Sequence, residues 1–341
     1  MSESLSDYTT LHLGGPAKNF VHATSEAELI NVVSTADASG EPVLIMGGGS
    51  NVLIGDEGFP GTVIRVETKG NSYAVDACSG GMISVAAGED WDEFVAWIIG
   101  KGFAGVETLS GIPGTVGASP IQNIGAYGHE VAEVIARVRT WDRKAGELKT
   151  LSNTECEFAY RSSRFKREKD RYVVLDVTFQ LRQGEMSLPI AYKELAEHLG
   201  VELGARALVT DVRKAVLELR GKKGMVLDKK DHDTWSAGSF FVNPIVDASI
   251  AAKLPSDAPK WPQSDGRVKL SAAWLMERSG IHKGSAHNGA GVSSKHVLAL
   301  VNNGSATSAD MVELARSAKA AVQEKFGIEL EPEVRFVGCD L

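Results

Sequence analysis

The segment Ser110-Gly-Ile-Pro-Gly-Thr-Val-Gly-Ala-Ser-Pro-Ile-Gln-Asn-Ile-Gly-Ala-Tyr-Gly128 constrains the fold of this chain more than any other. It is too long for a plain hairpin and too apolar for a flexible linker. A run of this kind either wraps on a ligand or forms an irregular buried connection. Its glycines allow close backbone approach, and Ser119, Gln122 and Asn123 can hydrogen-bond the heteroatoms of a flat ligand. A second glycine-rich stretch, Gly47-Gly-Gly-Ser-Asn51, directly follows the apolar run Pro42–Met46. It is either a structural turn or a cradle whose successive N–H groups point at an anion such as a pyrophosphate. It lacks the third glycine of the dinucleotide fingerprint at position 52, and no Walker A sequence occurs.

With 341 residues the chain exceeds one ordinary hydrophobic core, so two or three packed units are expected. A formal charge of −8 disfavours a broad basic surface for nucleic acid or anionic lipid, so any phosphate must be held locally. Cys78, Cys156 and Cys339 are far apart and form no Cys-x-x-Cys pair, which points away from disulfides and thiolate zinc and towards a reducing compartment. The polar start, Met1 to Thr10, has no signal-peptide pattern, and no apolar run approaches the roughly 20 residues that cross a bilayer, so a cytoplasmic location is expected. The eight histidines show no metal-ligand spacing, and a Gly-x-Ser-x-Gly elbow is missing.

The capping pattern Ser25-Glu-Ala-Glu28, then Leu29, Val32 and Val33, predicts a helix that stops at Gly40. Strands are expected over Pro42–Met46 and Thr62–Val66, completing a small α/β unit. Segments around Ser84–Ala87, Arg137–Trp141 and Tyr172–Leu181 read as strands of a second unit, with a helix from about Asp90 to Ile99 between the first two. Arg220 to Asp233 is polar and charged and reads as a connector or mobile loop at a domain boundary. Lys253–Pro262 reads as irregular, Ser271–Ser279 and Thr307–Phe326 as helices, and Val334–Val337 as a closing strand.

The two glycine stretches, with Ala237-Gly-Ser-Phe-Phe-Val-Asn-Pro244 and Glu331-Pro-Glu-Val-Arg-Phe-Val-Gly338, resemble the UDP-N-acetylenolpyruvoylglucosamine reductase family nearly end to end. The resemblance implies an α+β fold: a two-part FAD-binding region of the vanillyl-alcohol-oxidase type, followed by an α+β substrate-binding domain. It places FAD-binding subdomains at 1–69 and 70–222 and the substrate domain at 223–331, with strand 332–341 packing back on the first. Gly47, Gly48, Gly49, Ser50 and Asn51 would hold the pyrophosphate of a non-covalent FAD. Ser110, Pro113, Gly114, Gly117, Ala118, Ser119, Gln122, Asn123 and Gly125 would run along the flavin, and Arg335 either faces it or is a strand-surface charge.

By the same resemblance, Tyr160-Arg-Ser-Ser-Arg-Phe-Lys166 matches Tyr-Arg-x-Ser-x-Phe-Lys and puts Arg161 at the family's catalytic arginine. Ser239 takes the proton-donor position and Glu333 the catalytic carboxyl. Hydride from reduced flavin N5 to the terminal carbon of an enolpyruvyl ether leaves charge on the adjacent carbon, spread into its carboxylate. Arg161 can stabilise that charge through a charge-assisted hydrogen bond, Glu333 in its acid form through another, and Ser239 can protonate the basic carbon. NADPH and the UDP-sugar would use the site in turn. Tyr192 resembles the tyrosine covering the substrate diphosphate in the longer of the family's two types; Lys223 (with Lys222 as competitor) and Asn243 would meet diphosphate or uridine. Arg278 departs from a substrate-touching glutamine found in some members. Two rivals remain: a flavin enzyme on the same scaffold that oxidises a small alcohol or sugar with oxygen, and a UDP-sugar or nucleotide binding and regulatory protein with no redox step.

Overall fold

The computed structural model describes residues 3–76 and 80–341, so Cys78 lies outside the described residues. The chain folds into two units, one formed by 17–48 and 60–226, the other by 3–16, 49–59 and 227–341. Segments 3–16 and 49–59, which precede residue 69 in the chain, thus pack with its C-terminal part.

In the first unit, the helix Glu26–Ser39 starts where its capping residues predict: Ser25 Oγ accepts from Glu28 N, while the Glu28 carboxylate reaches back to Thr24 N (2.9 Å). The parallel strands Val43–Met46 and Phe59–Val66, with Ala17–Ala23 beside the latter, form a three-stranded sheet. An antiparallel sheet runs in the order Glu147–Ser152, Ile135–Asp142, Tyr172–Gln183, Gly80–Ala86, Asn71–Asp76. Helix Trp91–Gly100 buries Trp91, Phe94, Val95 and Ile98, with Phe94 stacked on Phe179 of the central strand at 4.9 Å. Arg139 joins helix and sheet by pairing with both Glu26 and Asp176.

Two helices of this unit, Lys193–Leu199 and Val209–Lys222, are not predicted from the sequence pattern. The second presents Val212, Ala215, Val216 and Leu219 to the buried Ile190 and Leu195, a small core of its own. Arg220 to Lys222 are therefore the last turn of a helix and not part of a connector. The stretch that follows is also ordered locally: His232–Thr234 is a 3₁₀ turn, and Lys295 pairs with Asp231 at 2.6 Å.

The second unit is built around helix Ser308–Phe326, whose capping box (Thr307 and Asp310) and C-terminal Gly327 (φ 66°) stand where the sequence puts them. Lys260–Pro262, expected to be irregular, is a strand paired with Val268–Leu270. Asn302 and its strand Leu300–Asn302 complete a second small sheet. The closing strand, Arg335–Val337, runs parallel to Val52–Ile54. Helices with short, mostly antiparallel strands make the fold α+β.

Candidate functional site

The two glycine stretches meet in the first unit. A Cβ on Gly47 would stand 2.4 Å from Thr115 Oγ1, and one on Gly48 would stand 2.8 Å from Gly114 Cα. At position 48 only glycine lets the two backbones touch. The longer stretch is pinned by Gly114 O accepting from Trp91 N (3.0 Å), by Val116 N donating to Glu89 O (2.8 Å) and by Gly117 N donating to Ala87 O (2.9 Å). The Ser110 and Ser119 hydroxyls donate internally, to Glu107 O and Val116 O, which closes the turns they sit in.

Asn123 is buried, and its amide is fully engaged: Nδ2 donates to Glu130 (2.7 Å) and Ala159 O (3.0 Å), while Oδ1 accepts from Ala132 N (3.1 Å). Its side chain shapes the loop, and the neighbouring Gln122 keeps the opposite condition, a buried Nε2 with no hydrogen-bond partner. A close-packed glycine contact and, in the same stretch, an orphaned amide donor are compatible with a cofactor that carries a pyrophosphate and a heteroatom-rich ring. The residues present therefore fit FAD.

Arg161 closes on the same stretch. Its Nη2 donates to Gly125 O at 2.7 Å and its Nη1 to Asn123 O at 3.3 Å. Arg161 (φ 50°), Asn123 (φ 46°) and Tyr127 (φ 49°) all hold left-handed backbone, which bulky residues adopt at a cost. Arg220 and Tyr127, neither singled out by the sequence, join the group. Burial pushes the Arg220 guanidinium down to about 10, with Arg161 adding to the effect, and pushes the Tyr127 hydroxyl up to about 12. No short motif marks either residue; their burial and electrostatic neighbours are tertiary properties. Tyr192, exposed, meets Tyr127 edge-on at 5.6 Å, and Lys223 pairs with Glu194 in the helix that Tyr192 precedes. Lys222 is solvent-exposed on the helix end.

The other expected residues lie in the second unit. Gly49 takes φ 63°, and a Cβ there would fall 1.9 Å from Tyr8 O. Asn51 Nδ2 donates to Glu333 O (3.2 Å), and Asn51 O accepts from Arg335 N (3.1 Å). Glu333 N donates to Phe240 O (2.8 Å) and Val242 N to Glu331 O (3.0 Å), so the Ser239 and Glu333 segments run side by side. Asn243 Oδ1 accepts from Ala272 N at the start of helix Ala272–Arg278 (2.9 Å). Arg278 is exposed and paired with Asp257 at 2.5 Å. Among the described residues no cluster of His, Cys, Asp and Glu could hold a metal ion, and no helix is long and apolar enough to cross a membrane.

Residues 17–152 match the model of an FAD binding domain, and residues 229–337 match that of the UDP-N-acetylenolpyruvoylglucosamine reductase C-terminal domain. The UDP-N-acetylenolpyruvoylglucosamine reductase of Cutibacterium acnes is 54% identical, the alignment covering 99% of this chain and 90% of that one. The enzyme of the same name from Thermobifida fusca is 50% identical over 99% of this chain and 97% of its own. The crystal structure of UDP-N-acetylenolpyruvylglucosamine reductase from Thermus caldophilus superposes with a TM-score of 0.66 at 26% identity, covering 99% of this chain and 98% of that one.

Proposed function

The chain belongs to the UDP-N-acetylenolpyruvoylglucosamine reductase family, and from that premise we propose that it reduces UDP-N-acetylglucosamine enolpyruvate to UDP-N-acetylmuramate with NADPH. It is a flavin-dependent oxidoreductase. FAD, when bound, supplies the hydride that reaches the terminal carbon of the enolpyruvyl group. The protein's own residues then deal with charge and with the proton.

Arg161 carries the reading. Its guanidinium is braced by two carbonyls of the glycine-rich stretch, so it can be aimed at a carboxylate without reorganising when charge develops. Glu333 and Ser239 are assigned to the same reacting group, Glu333 stabilising the carboxylate and Ser239 giving its hydroxyl proton to the adjacent carbon. Tyr192, Lys223 and Asn243 are assigned to the nucleotide diphosphate and uridine. Residues 1–69 and 70–222 are assigned mainly to the cofactor and 223–331 mainly to the substrate, Arg161 and Tyr192 being the substrate residues of 70–222. NADPH and the UDP-sugar enter in turn, and the reaction is assigned to the cytoplasm.

The decisive measurement is the flavin spectrum of anaerobic protein given one equivalent of NADPH and then UDP-N-acetylglucosamine enolpyruvate. The oxidised band should bleach and return. Bleaching that lasts until air is admitted would mean an oxidase, and a folded preparation that takes up no FAD would mean a non-redox nucleotide binder. In the same experiment Ser239→Ala and Arg161→Lys should leave bleaching by NADPH intact and slow the return by about 10²–10³-fold. Arginine's two-carbonyl fork has no lysine equivalent.

A further inference from the structure

We propose that Trp235 is a positioning residue for this reduction: held between the imidazoles of His12 and His232, it fixes the upstream end of the turn that presents the Ser239 hydroxyl. The inference rests on the reading of Ser239 as proton donor.

All of the parts lie in the second unit. The Trp235 ring is 3.9 Å from that of His12 and 4.1 Å from that of His232, centroid to centroid. Each imidazole is itself fixed. His232 Nδ1 meets Asn303 O at 3.1 Å, which makes that nitrogen the protonated one, and Gly304 lies so close that a Cβ there would stand 2.6 Å from the His232 ring. His12 sits on left-handed backbone (φ 51°), and the buried Asn302 donates from Nδ2 to Leu11 O (3.0 Å) and His12 O (3.3 Å). Burial, then Lys229 and His232, depress the protonation of His12 against the opposing pull of Asp7, so a neutral ring faces the indole at neutral pH.

The backbone that leaves this sandwich is the one that reaches Ser239. Trp235 O accepts from Asn302 N (3.0 Å) and Ser236 O from Thr10 Oγ1 (2.7 Å), which anchors the upstream end. Downstream, Phe240 N donates to Leu298 O and Phe240 O accepts from Glu333 N, both at 2.8 Å. Ser239 thus hangs between two anchors, next to a glycine at φ 74° that makes the turn, with Gly238 N held by Ser236 Oγ at 3.2 Å. The downstream anchor is main-chain pairing that no side-chain change removes. The upstream one combines the main-chain bond from Asn302 N with the side-chain bond from Thr10 Oγ1, and the latter depends on Thr10, Leu11 and His12 staying in place, His12 gripping the indole together with His232. A shift of about 1 Å at a proton-delivering group can slow a step by 10²-fold.

The buried Trp235 Nε1 has no hydrogen-bond partner, so phenylalanine would keep the stacking and lose no bond. The test is anaerobic stopped-flow on the holoenzyme. Trp235→Ala should slow reoxidation by saturating UDP-N-acetylglucosamine enolpyruvate by about 10–100-fold, with reduction by NADPH within about twofold. Trp235→Phe should stay near the unaltered enzyme, and Trp235→Ala should add almost nothing in a Ser239→Ala background, because both changes act on one proton transfer. Equal slowing of both half-reactions, a full multiplicative effect in the Ser239→Ala background, or a Phe variant as slow as Ala would overturn the inference. If Trp235→Ala does not fold, His12→Ala, which uncovers one face of the ring, is measured against the same criteria. A Ser239→Ala enzyme of unaltered rate would overturn the serine assignment itself; a slow one beside an unaltered Trp235→Ala enzyme overturns only the role given to Trp235.

Discussion

Replacing Gly48 with alanine tests whether the contact between the two glycine stretches forms the cofactor cradle. The new methyl carbon would lie 2.8 Å from Gly114 Cα, 3.3 Å from its carbonyl carbon and 3.5 Å from its nitrogen. Carbon atoms settle at about 3.5–4.0 Å, so the backbones must part by roughly 1 Å. Neither side can rotate away, because every atom met is main chain. Overpacking of this kind costs about 1–3 kcal/mol. If the N–H groups of this loop hold the pyrophosphate, the same displacement weakens FAD by about 5- to 150-fold, at 1.4 kcal/mol per decade. Gly47→Ala makes the contrast: its methyl meets Thr115 Oγ1 at 2.4 Å, but the next Thr115 atoms are at 3.5 Å, so Thr115→Ala should restore it. Titrating the apoprotein with FAD by fluorescence, alongside a thermal melt, measures both quantities. A Gly48→Ala protein with unaltered melting temperature and FAD affinity would refute the argument, as would failure of Thr115→Ala to rescue Gly47→Ala.

Two further outcomes follow from side chains away from the chemistry. Asp56 accepts from Ser308 N (2.8 Å) and Ala309 N (3.1 Å), capping helix Ser308–Phe326 with a negative charge from another segment; Asp56→Ala should cost about 1–2 kcal/mol, read as a lower denaturant midpoint for the second unit with an unchanged m-value. His129 places Nδ1 2.8 Å from the Glu133 carboxylate and Nε2 3.0 Å from Pro189 O, two acceptors that favour the doubly protonated ring. The hydrogen bond to Glu133, with Pro189 O assisting against burial, raises its protonation above the ordinary histidine range. Its stabilisation is therefore complete below about pH 6.5 and lost as pH rises through the folded value. The stability gap between this protein and His129→Gln should narrow over that rise, and a gap independent of pH would contradict the assignment.

Much of the fold was legible where a local rule acts alone. Thr307 and Asp310 cap a helix through atoms three residues apart, and Gly327 ends it by its own backbone freedom, so both ends could be read directly. Strands Ile135–Asp142 and Tyr172–Gln183 are rich in β-branched and aromatic residues; Glu147–Ser152, the edge partner of the first, is mostly exposed and carries no such signal until its neighbour supplies the hydrogen bonds. The helices Lys193–Leu199 and Val209–Lys222 leave little periodic signal because their shared core is small and their remaining faces are charged.

Read along the chain, the residues already supply glycine runs that admit close approach, an arginine, serine and glutamate in motifs specific enough to identify a family, and the caps that start and stop helices. These are properties of a residue and its immediate neighbours. Tertiary structure alone decided that Gly48 abuts Gly114, that Asn123 spends its amide on the loop while Gln122 keeps a buried donor, that Arg161 is braced by the carbonyls of Asn123 and Gly125, and that His12 and His232 grip one indole from segments far apart in the chain. The physical reason is that hydrogen-bond satisfaction, burial and the resulting shifts at Arg220 and Tyr127 depend on which groups exclude water from which others, and that is settled only when distant segments pack.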